Sequence, residues 1–368
     1  MTVPEPPGFG VYVHVPFCAA RCDYCAFATY TDRDHLMADY AAACVTEIER
    51  AVADQGLEPA TSVFVGGGTP SRLPAALLGR ILGAVAVVAG AEVTVECNPE
   101  DASAELFAEW RAAGVTRVSF GVQSMVPHVL RGLGRAHQPA SVVRALSLAG
   151  AAGFESCNVD LIFGGFGESD ADWESTLDQV LAFDPPPAHV SAYALTVEPG
   201  TPLAADPARH PDDDVQARRY RRAEEVLGAA GYRWYEVSNW AQPGHECRHN
   251  RLYWAQGDYR GIGSAAHSHR AGRRWWNIRT PDRYITALRS GRTPVAGEEV
   301  LDPDQRAFEA IALSLRTSFG VPAGLVPDDP DLRGLLEVRD GRAVLTVPGR
   351  LLANAVTARL AVPTILPA

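Results

Sequence analysis

Phe17-Cys18-Ala19-Ala20-Arg21-Cys22-Asp23-Tyr24-Cys25 follows directly on a strand-like run at residues 10–17, and the reading of this CxxxCxxC array decides the fold. Iron–sulfur clusters are held by thiolates, and a cubane usually takes four. Three cysteines on one loop hold three irons and leave the fourth open for a substrate or cofactor. Zinc is the competing reading, but it needs a fourth ligand and ordinarily a second CxxC-type pair, which the sequence lacks. Cys44, Cys97, Cys157 and Cys247 stand alone, so the odd total of seven reads as a metal site plus scattered thiols and not as a disulfide framework. Cys97 and Cys157 fall on strand-like runs and are expected to be small buried apolar residues.

Outward from the array, runs rich in Val, Phe, Tyr or Ile recur at 61–66, 92–98, 117–123, 157–164 and 189–196. Between them, 36–53, 73–89, 104–113, 141–152 and 172–182 carry apolar residues at helical spacing, most ending at a glycine such as Gly90, Gly114 or Gly153. The alternation predicts an α/β fold, with a parallel sheet and right-handed crossovers, open or curled into a partial barrel. Polar and glycine-rich positions sit just after the strands, where barrel sites gather. A further helix at 214–230 leads into an aromatic-rich region at 232–276, and 281–294 reads as a helix and linker. From Leu301 the pattern becomes helix, helix, a hairpin at 336–338 and 343–346 turning at Asp340-Gly341, and a last helix at 351–360. This predicts a small winged-helix-like α+β domain. The expected division is a barrel with the cluster and cofactor site over 1–235, an aromatic-rich extension over 236–300, and the small domain over 301–368.

Length and charge bound the function classes. A chain of 368 residues with 47% hydrophobic and 21% charged side chains has room for about two domains and a large core. A net charge of −11 argues against a general nucleic-acid or anionic-membrane surface. From residue 301 onward seven Arg face eight Asp and Glu, a net of −1, which is no footprint for a phosphate backbone; a structural or lid role fits that domain better. The opening MTVPEPPGFG lacks the basic start and apolar core of a signal peptide, so a cytoplasmic location is expected. No apolar run approaches the ~20 residues of a membrane span. The most apolar stretch, 77–91, reads as one buried helix.

Tyr12-Val13-His14-Val15-Pro16-Phe17-Cys18 together with the array resembles the radical S-adenosylmethionine superfamily, in its oxygen-independent coproporphyrinogen III oxidase-like branch. The likeness spans nearly the whole chain. It continues through Gly66-Gly67-Gly68-Thr69-Pro70, Glu96-Cys97-Asn98-Pro99-Glu100, Gly121-Val122-Gln123-Ser124, Gly134-Arg135-Ala136-His137, Asn158-Val159-Asp160-Leu161-Ile162, the run 189–199, and Tyr235-Glu236-Val237-Ser238-Asn239. The resemblance implies a partial (β/α)6 barrel, with a [4Fe–4S] cluster on Cys18, Cys22 and Cys25 whose open iron chelates the amine and carboxylate of S-adenosylmethionine. Reduction of the cofactor by an electron donor such as flavodoxin or ferredoxin then yields a 5′-deoxyadenosyl radical. It further implies that Tyr12 packs on the adenine and that Gly67, Gly68 and Thr69 approach the methionine moiety. Glu96, Gln123, Arg135 and Asp160 are implied to hold the ribose and the charged ends. Taken singly each has a plainer reading: a turn for the glycines, an N-cap for Glu96 or Asp160, core for Tyr12 and a surface charge for Arg135. Order and register with the cysteines carry the set.

The oxidases of that branch have a fourth cysteine two places after the array, where this chain has Phe27, and a longer N-terminal region. Instead, His249-Asn250-Arg251-Leu252-Tyr253-Trp254 resembles the HNxxYW signature of the branch's heme chaperone group. That implies binding of heme, its delivery to an acceptor protein, and no coproporphyrinogen oxidase turnover. Imidazole is a common axial ligand to heme iron, and Tyr and Trp offer flat apolar faces, so His249 is the expected heme contact. The plainer reading is that His249 packs or caps a helix and the aromatics are core. The chain departs from the branch at Gly165-Phe166-Gly167, where a Pro-Gly turn is usual, at Ala26, where Asp is common, and at Ala265-Ala266, where many relatives have Gly. These departures keep open a radical methylase, cyclopropanase or coproporphyrinogen dehydrogenase acting on a porphyrin or small aromatic substrate, and a non-enzymatic iron–sulfur module.

Overall fold

The computed structural model describes residues 8–360; the Pro-rich start read above for the absence of a signal peptide falls largely outside the described residues. Strand and helix alternate from the first element: β1 (Gly10–Val15), α1 (Met37–Gln55), β2 (Ala60–Gly67), α2 (Ala75–Ala84), β3 (Val87–Cys97), α3 (Ala104–Ala112) and β4 (Arg117–Gln123). Then come α4 (Pro127–Gly132), α5 (Pro139–Ala151), β5 (Ser156–Phe163), α6 (Asp170–Leu181), β6 (His189–Ala194) and α7 (Asp213–Ala229). These six strands pair in parallel in sequence order. The chain continues with β7 (Arg233–Glu236), β8 (Asn239–Ala241), α8 (Arg248–Trp254), β9 (Tyr259–Ile262), β10 (His267–Arg270), β11 (Arg273–Asn277), α9 (Pro281–Arg289) and β12 (Val295–Val300). All twelve strands form one sheet in the order β12-β11-β10-β9-β1-β2-β3-β4-β5-β6-β8-β7.

The sheet must curl. His249 on α8 hydrogen-bonds Ser62 on β2, and the neighbouring Asn250 bonds Tyr235 on β7. In a flat sheet those strands, six spacings apart, would be separated by about 29 Å. Adjacent residues of one helix cannot span that distance. α8 therefore closes one end of a partial barrel.

Register divides the strands into two faces. Tyr12 aligns with Phe64, Phe64 with Thr94 and Thr94 with Arg117; a layer further, Glu96 aligns with Ser119, Ser119 with Asn158 and Asn158 with His189. Side chains alternate along a strand, so the opposite face carries Val13, Val65, Val95, Phe120, Val159 and Val190, all fully buried in one core with the helices. The interior of the barrel is thus polar and its outer wall apolar, the reverse of an ordinary half-buried sheet. Cys97 lies buried on that outer wall, while Cys157 is only half-buried.

Two sequence expectations need correction. The helix expected at 73–89 ends at Ala84, because β-branched Val85 turns extended at its end and Val87 and Val88 join β3. Gly90 (φ 71°) is no helix stop; it lies inside β3, where the pairing passes from Ala60–Val87 to Ser62–Glu92 through an irregularity. In the small domain α10 (Pro303–Leu315) is not followed by a second helix. Pro322, Pro327 and Pro330 break that stretch into β13 (Val321–Pro322) and two single 3₁₀ turns. β14 (Leu336–Arg339) and β15 (Arg342–Leu345) form the expected hairpin, and α11 (Val347–Leu351) and α12 (Ala353–Arg359) complete the domain around Leu315, Val321, Leu345 and Val356. Arg350 docks it on the barrel: the guanidinium lies 3.6 Å from the Trp234 ring centroid and donates to Glu224 at 2.7 Å. No described helix is long and apolar enough to cross a membrane.

Candidate functional site

Backbone hydrogen bonds tie the array to the ends of β1 and β2. Gly68 N donates to Val15 O and Thr69 N to Phe17 O, both at 2.8 Å, while Cys18 N donates to Tyr30 O at 3.1 Å. The loop is thereby closed on itself, with Cys18 buried and Cys22 and Cys25 half-buried. Thr69 Oγ1 stands 3.6 Å from Cys18 Sγ, and Arg135 Nη1 stands 3.5 Å from Cys22 Sγ. Arg135 itself is anchored by Asn98 Oδ1 at 2.9 Å and Gly121 O at 3.0 Å, so a fixed cation faces the thiols. Burial, together with the charge of the other array thiols, pushes the Cys18 and Cys25 thiols up; metal loading must therefore displace protons. No three His, Cys, Asp or Glu side chains among the described residues converge on a single ion. A cubane asks for something else, one thiolate at each of three different irons. The array, its adjoining cation and the bare backbone at Gly68 fit that group.

Around this loop the strand ends bring together most of the residues singled out in the sequence. Gly67 (φ 113°) donates its N–H to Glu96 Oε2 at 3.2 Å, and Glu96 lies close enough to Asp160 to feel its charge. Gln123 ends β4 with φ 62°, and its amide curls over Gly121 beside Arg135 and Asn98. Asp160 accepts from Ser119 and Asn158, both at 2.9 Å. Such a ring of acceptors and one guanidinium, backed by glycines, can hold hydroxyls, an ammonium group and a carboxylate. Tyr12 stacks on Phe64 with ring centroids 6.4 Å apart, and its hydroxyl meets His14 Nδ1 at 3.1 Å. Sequence reasoning did not single out Asn98, Ser119 or Asn158 as site residues, although Asn98 and Asn158 lie within quoted motifs and Ser119 lies two residues before one.

Glu96 carries a testable cost. Desolvation, then the charge of Asp160, raise its pKa to about 8. A carboxyl whose folded pKa is raised keeps its proton where the unfolded chain releases it, so wild-type stability falls as pH climbs from about 4.5 to about 8. Glu96→Gln is therefore expected to match wild type near pH 4.5 and to be the more stable by pH 8.5, by up to roughly 4 kcal/mol. Thermal melts of the metal-free protein across that range check this. A constant difference at every pH would disprove it.

His249 stands apart from the strand-end group. It is 1% exposed, its Nδ1 meets Ser62 Oγ at 3.0 Å and its Nε2 meets Tyr253 Oη at 2.9 Å. Its ring stacks on Phe64 at 5.6 Å, and burial lowers its pKa to about 3. Asn250 reaches Tyr235, and Trp254 reaches the buried Glu236. The polar members of the HNxxYW signature thus pin the closing helix to the barrel interior.

Comparison with known proteins agrees with this geometry. The family model for the radical SAM superfamily matches residues 12–180. A heme chaperone HemW of Mycobacterium tuberculosis is 44% identical over 370 aligned residues, covering 96% of this chain and 94% of that protein. The heme chaperone HemW of Escherichia coli is 39% identical over 71% of this chain and 70% of its own length. The solved coproporphyrinogen III oxidase HemN of E. coli, a radical SAM enzyme, superposes with a TM-score of 0.81 over 96% of this chain and 90% of that one; at 23% identity it speaks for the fold alone. Identity over nearly the full length and architecture agree, and the chain belongs to the HemW family of the radical SAM superfamily.

Proposed function

We infer that this protein is a heme chaperone that carries a [4Fe–4S] cluster and S-adenosylmethionine, binds heme and passes it to an acceptor protein. The observation that carries the reading is near full-length identity of 44% to a protein named heme chaperone HemW. The HNxxYW residues at 249–254, and Phe27 in place of the oxidases' further cysteine, support it. The cluster residues are Cys18, Cys22 and Cys25. Tyr12, Gly67, Gly68, Thr69, Glu96, Gln123, Arg135 and Asp160 hold the cofactor. Bound cofactor and cluster supply one-electron chemistry, while the chain's own part is to fix the ligands and keep the surrounding carboxyls dry. Heme titration of the anaerobically reconstituted protein, with assays for coproporphyrinogen oxidation and methyl transfer alongside, tests the reading. Stoichiometric heme binding without either turnover is expected; methyl transfer to an aromatic acceptor with no heme binding would move the protein to the enzyme class.

Heme contact at His249 has a defined structural cost. Both ring nitrogens are engaged, so iron ligation requires Nε2 to exchange the Tyr253 phenol for the metal. Tyr253→Phe frees Nε2 and is expected to tighten heme binding severalfold, whereas His249→Ala should remove an axial ligand and shift the heme absorption bands. A spectrum unmoved by His249→Ala would leave the chaperone reading in place and assign the ligand to another residue.

A further inference from the structure

A chain of hydrogen bonds crosses the barrel interior from the closing helix to Asp160, and its direction can be worked out. Asn158 Nδ2 lies 2.9 Å from Asp160 Oδ1 and 2.7 Å from Ser119 Oγ, whose own hydroxyl donates to Asp160 Oδ2 at 2.9 Å. A carboxylate only accepts, so the amide nitrogen of Asn158 must face it and the amide oxygen must face away. That oxygen lies 2.6 Å from His189 Nδ1 and 3.2 Å from Ser191 Oγ, and it too only accepts. His189 therefore bears its proton on Nδ1. The ring is wholly buried with no carboxylate in hydrogen-bond contact, which keeps it neutral and leaves Nε2 bare to accept from Tyr235 Oη at 2.8 Å. The Tyr235 oxygen in turn accepts from Asn250 Nδ2 at 3.4 Å. Every link donates toward Asp160.

We propose that His189 is a positioning residue for S-adenosylmethionine: through Asn158 it holds the Asp160 carboxylate in a single orientation, with its remaining lone pairs presented to the cofactor's hydroxyls. His189 opens the run 189–199 that belongs to the resemblance, but that run contains none of the residues expected to contact the cofactor, and nothing in the sequence assigns His189 a role. The pairing register makes the assignment, by setting His189, Asn158 and Ser119 side by side on β6, β5 and β4. If Nδ1 lost its proton or its ring, Asn158 would keep only the longer Ser191 hydrogen bond on its oxygen side, and the amide, held less firmly, could turn and point an oxygen at a carboxylate. The proposal rests on the reading that Asp160 touches the cofactor.

Two substitutions separate positioning from packing. His189→Phe keeps most of the ring volume and removes the donor; His189→Asn removes volume and places an amide nitrogen near the old Nδ1. Cofactor affinity, read from the perturbation of the reduced cluster's EPR signal, is expected to fall about tenfold in His189→Phe and to stay within about threefold of wild type in His189→Asn. Thermal stability should rank the other way, with His189→Asn the weaker. In the protein without cluster or cofactor, ¹⁵N shifts of labelled histidine should show His189 as the neutral Nδ1–H tautomer. Equal affinity in wild type and His189→Phe, equal loss in both variants, or an Nε2–H tautomer would each overturn the proposal. Asp160→Ala is the control on the underlying reading: if it leaves affinity unchanged, Asp160 is no cofactor contact, and both the reading and the relay built on it fall. A loss in Asp160→Ala with none in His189→Phe would discard the relay alone.

Discussion

Replacing Cys18, Cys22 or Cys25 with Ala is expected to abolish the [4Fe–4S] signal of the anaerobically reconstituted protein, taking bound iron from about four per chain to near zero. The expectation follows from a site with three protein thiolates and an open fourth iron, in which no neighbouring thiol can substitute. Cys44 is buried in α1 under Tyr284, and Cys97 points its thiol at Asn98 O at 3.2 Å. Cys247 meets Glu92 at the start of α8. None belongs to the array loop. Cys44→Ala should therefore retain the cluster, at the cost of a small internal cavity. Iron and sulfide analysis with EPR of the reduced sample checks this, and a cluster that equally required Cys44 or Cys247 would show the ligand set to be wrong. Because the Cys18 and Cys25 thiols are pushed up by burial, assembly should also slow as pH is lowered, since iron must displace a proton more firmly held.

What was legible in the sequence was the local part. The array needs only eight consecutive residues, and strand β4 was read with the bounds it has in the structure, because a Val/Phe-rich run between a Gly-terminated helix and a second turn has one reading. The helix expected at 73–89 was overextended for the opposite reason: Gly90 imitates a helix stop, and only pairing with β2 pulls Val87 and Val88 into a strand. Asn158 and His189 do not stand out in the sequence as site residues because their meaning arises across strands, where residues 31 apart in sequence become neighbours. His249 shows the limit most clearly. An imidazole among aromatics reads as an available ligand, but Ser62, which occupies its Nδ1, lies 187 residues away in the chain. A hydrogen bond across that distance leaves no trace in composition or spacing. The signature HNxxYW is therefore a statement about how the barrel end is closed as much as about what binds there.

Gly68→Ala is expected to prevent cluster assembly almost as completely as loss of a cysteine, although it removes no ligand. A Cβ at Gly68 would stand 2.7 Å from Phe17 O, 2.9 Å from Val15 O and 3.0 Å from Cys18 Sγ. The two carbonyls cannot retreat cheaply, because they accept the N–H groups of Thr69 and Gly68 that fasten β2 to the start of the array. Something must shift, and the least tethered of the three atoms is the Cys18 thiol. A displaced thiol no longer meets the geometry set by the other two. Gly66 is the control within the same triplet: its Cβ would come no closer than 3.0 Å, and only to the side chains of Phe64 and Glu96, which can give way. Gly66→Ala should therefore keep its cluster and weaken S-adenosylmethionine binding through the displaced Glu96, while Gly68→Ala should bind little iron and melt at lower temperature. Iron content and thermal melts of the two variants decide between them. Normal iron loading in Gly68→Ala would mean that the glycine serves the cofactor alone. The close approach of backbone at this position then answers first to the cluster loop, and the room left for a methionine moiety follows from the same missing side chain.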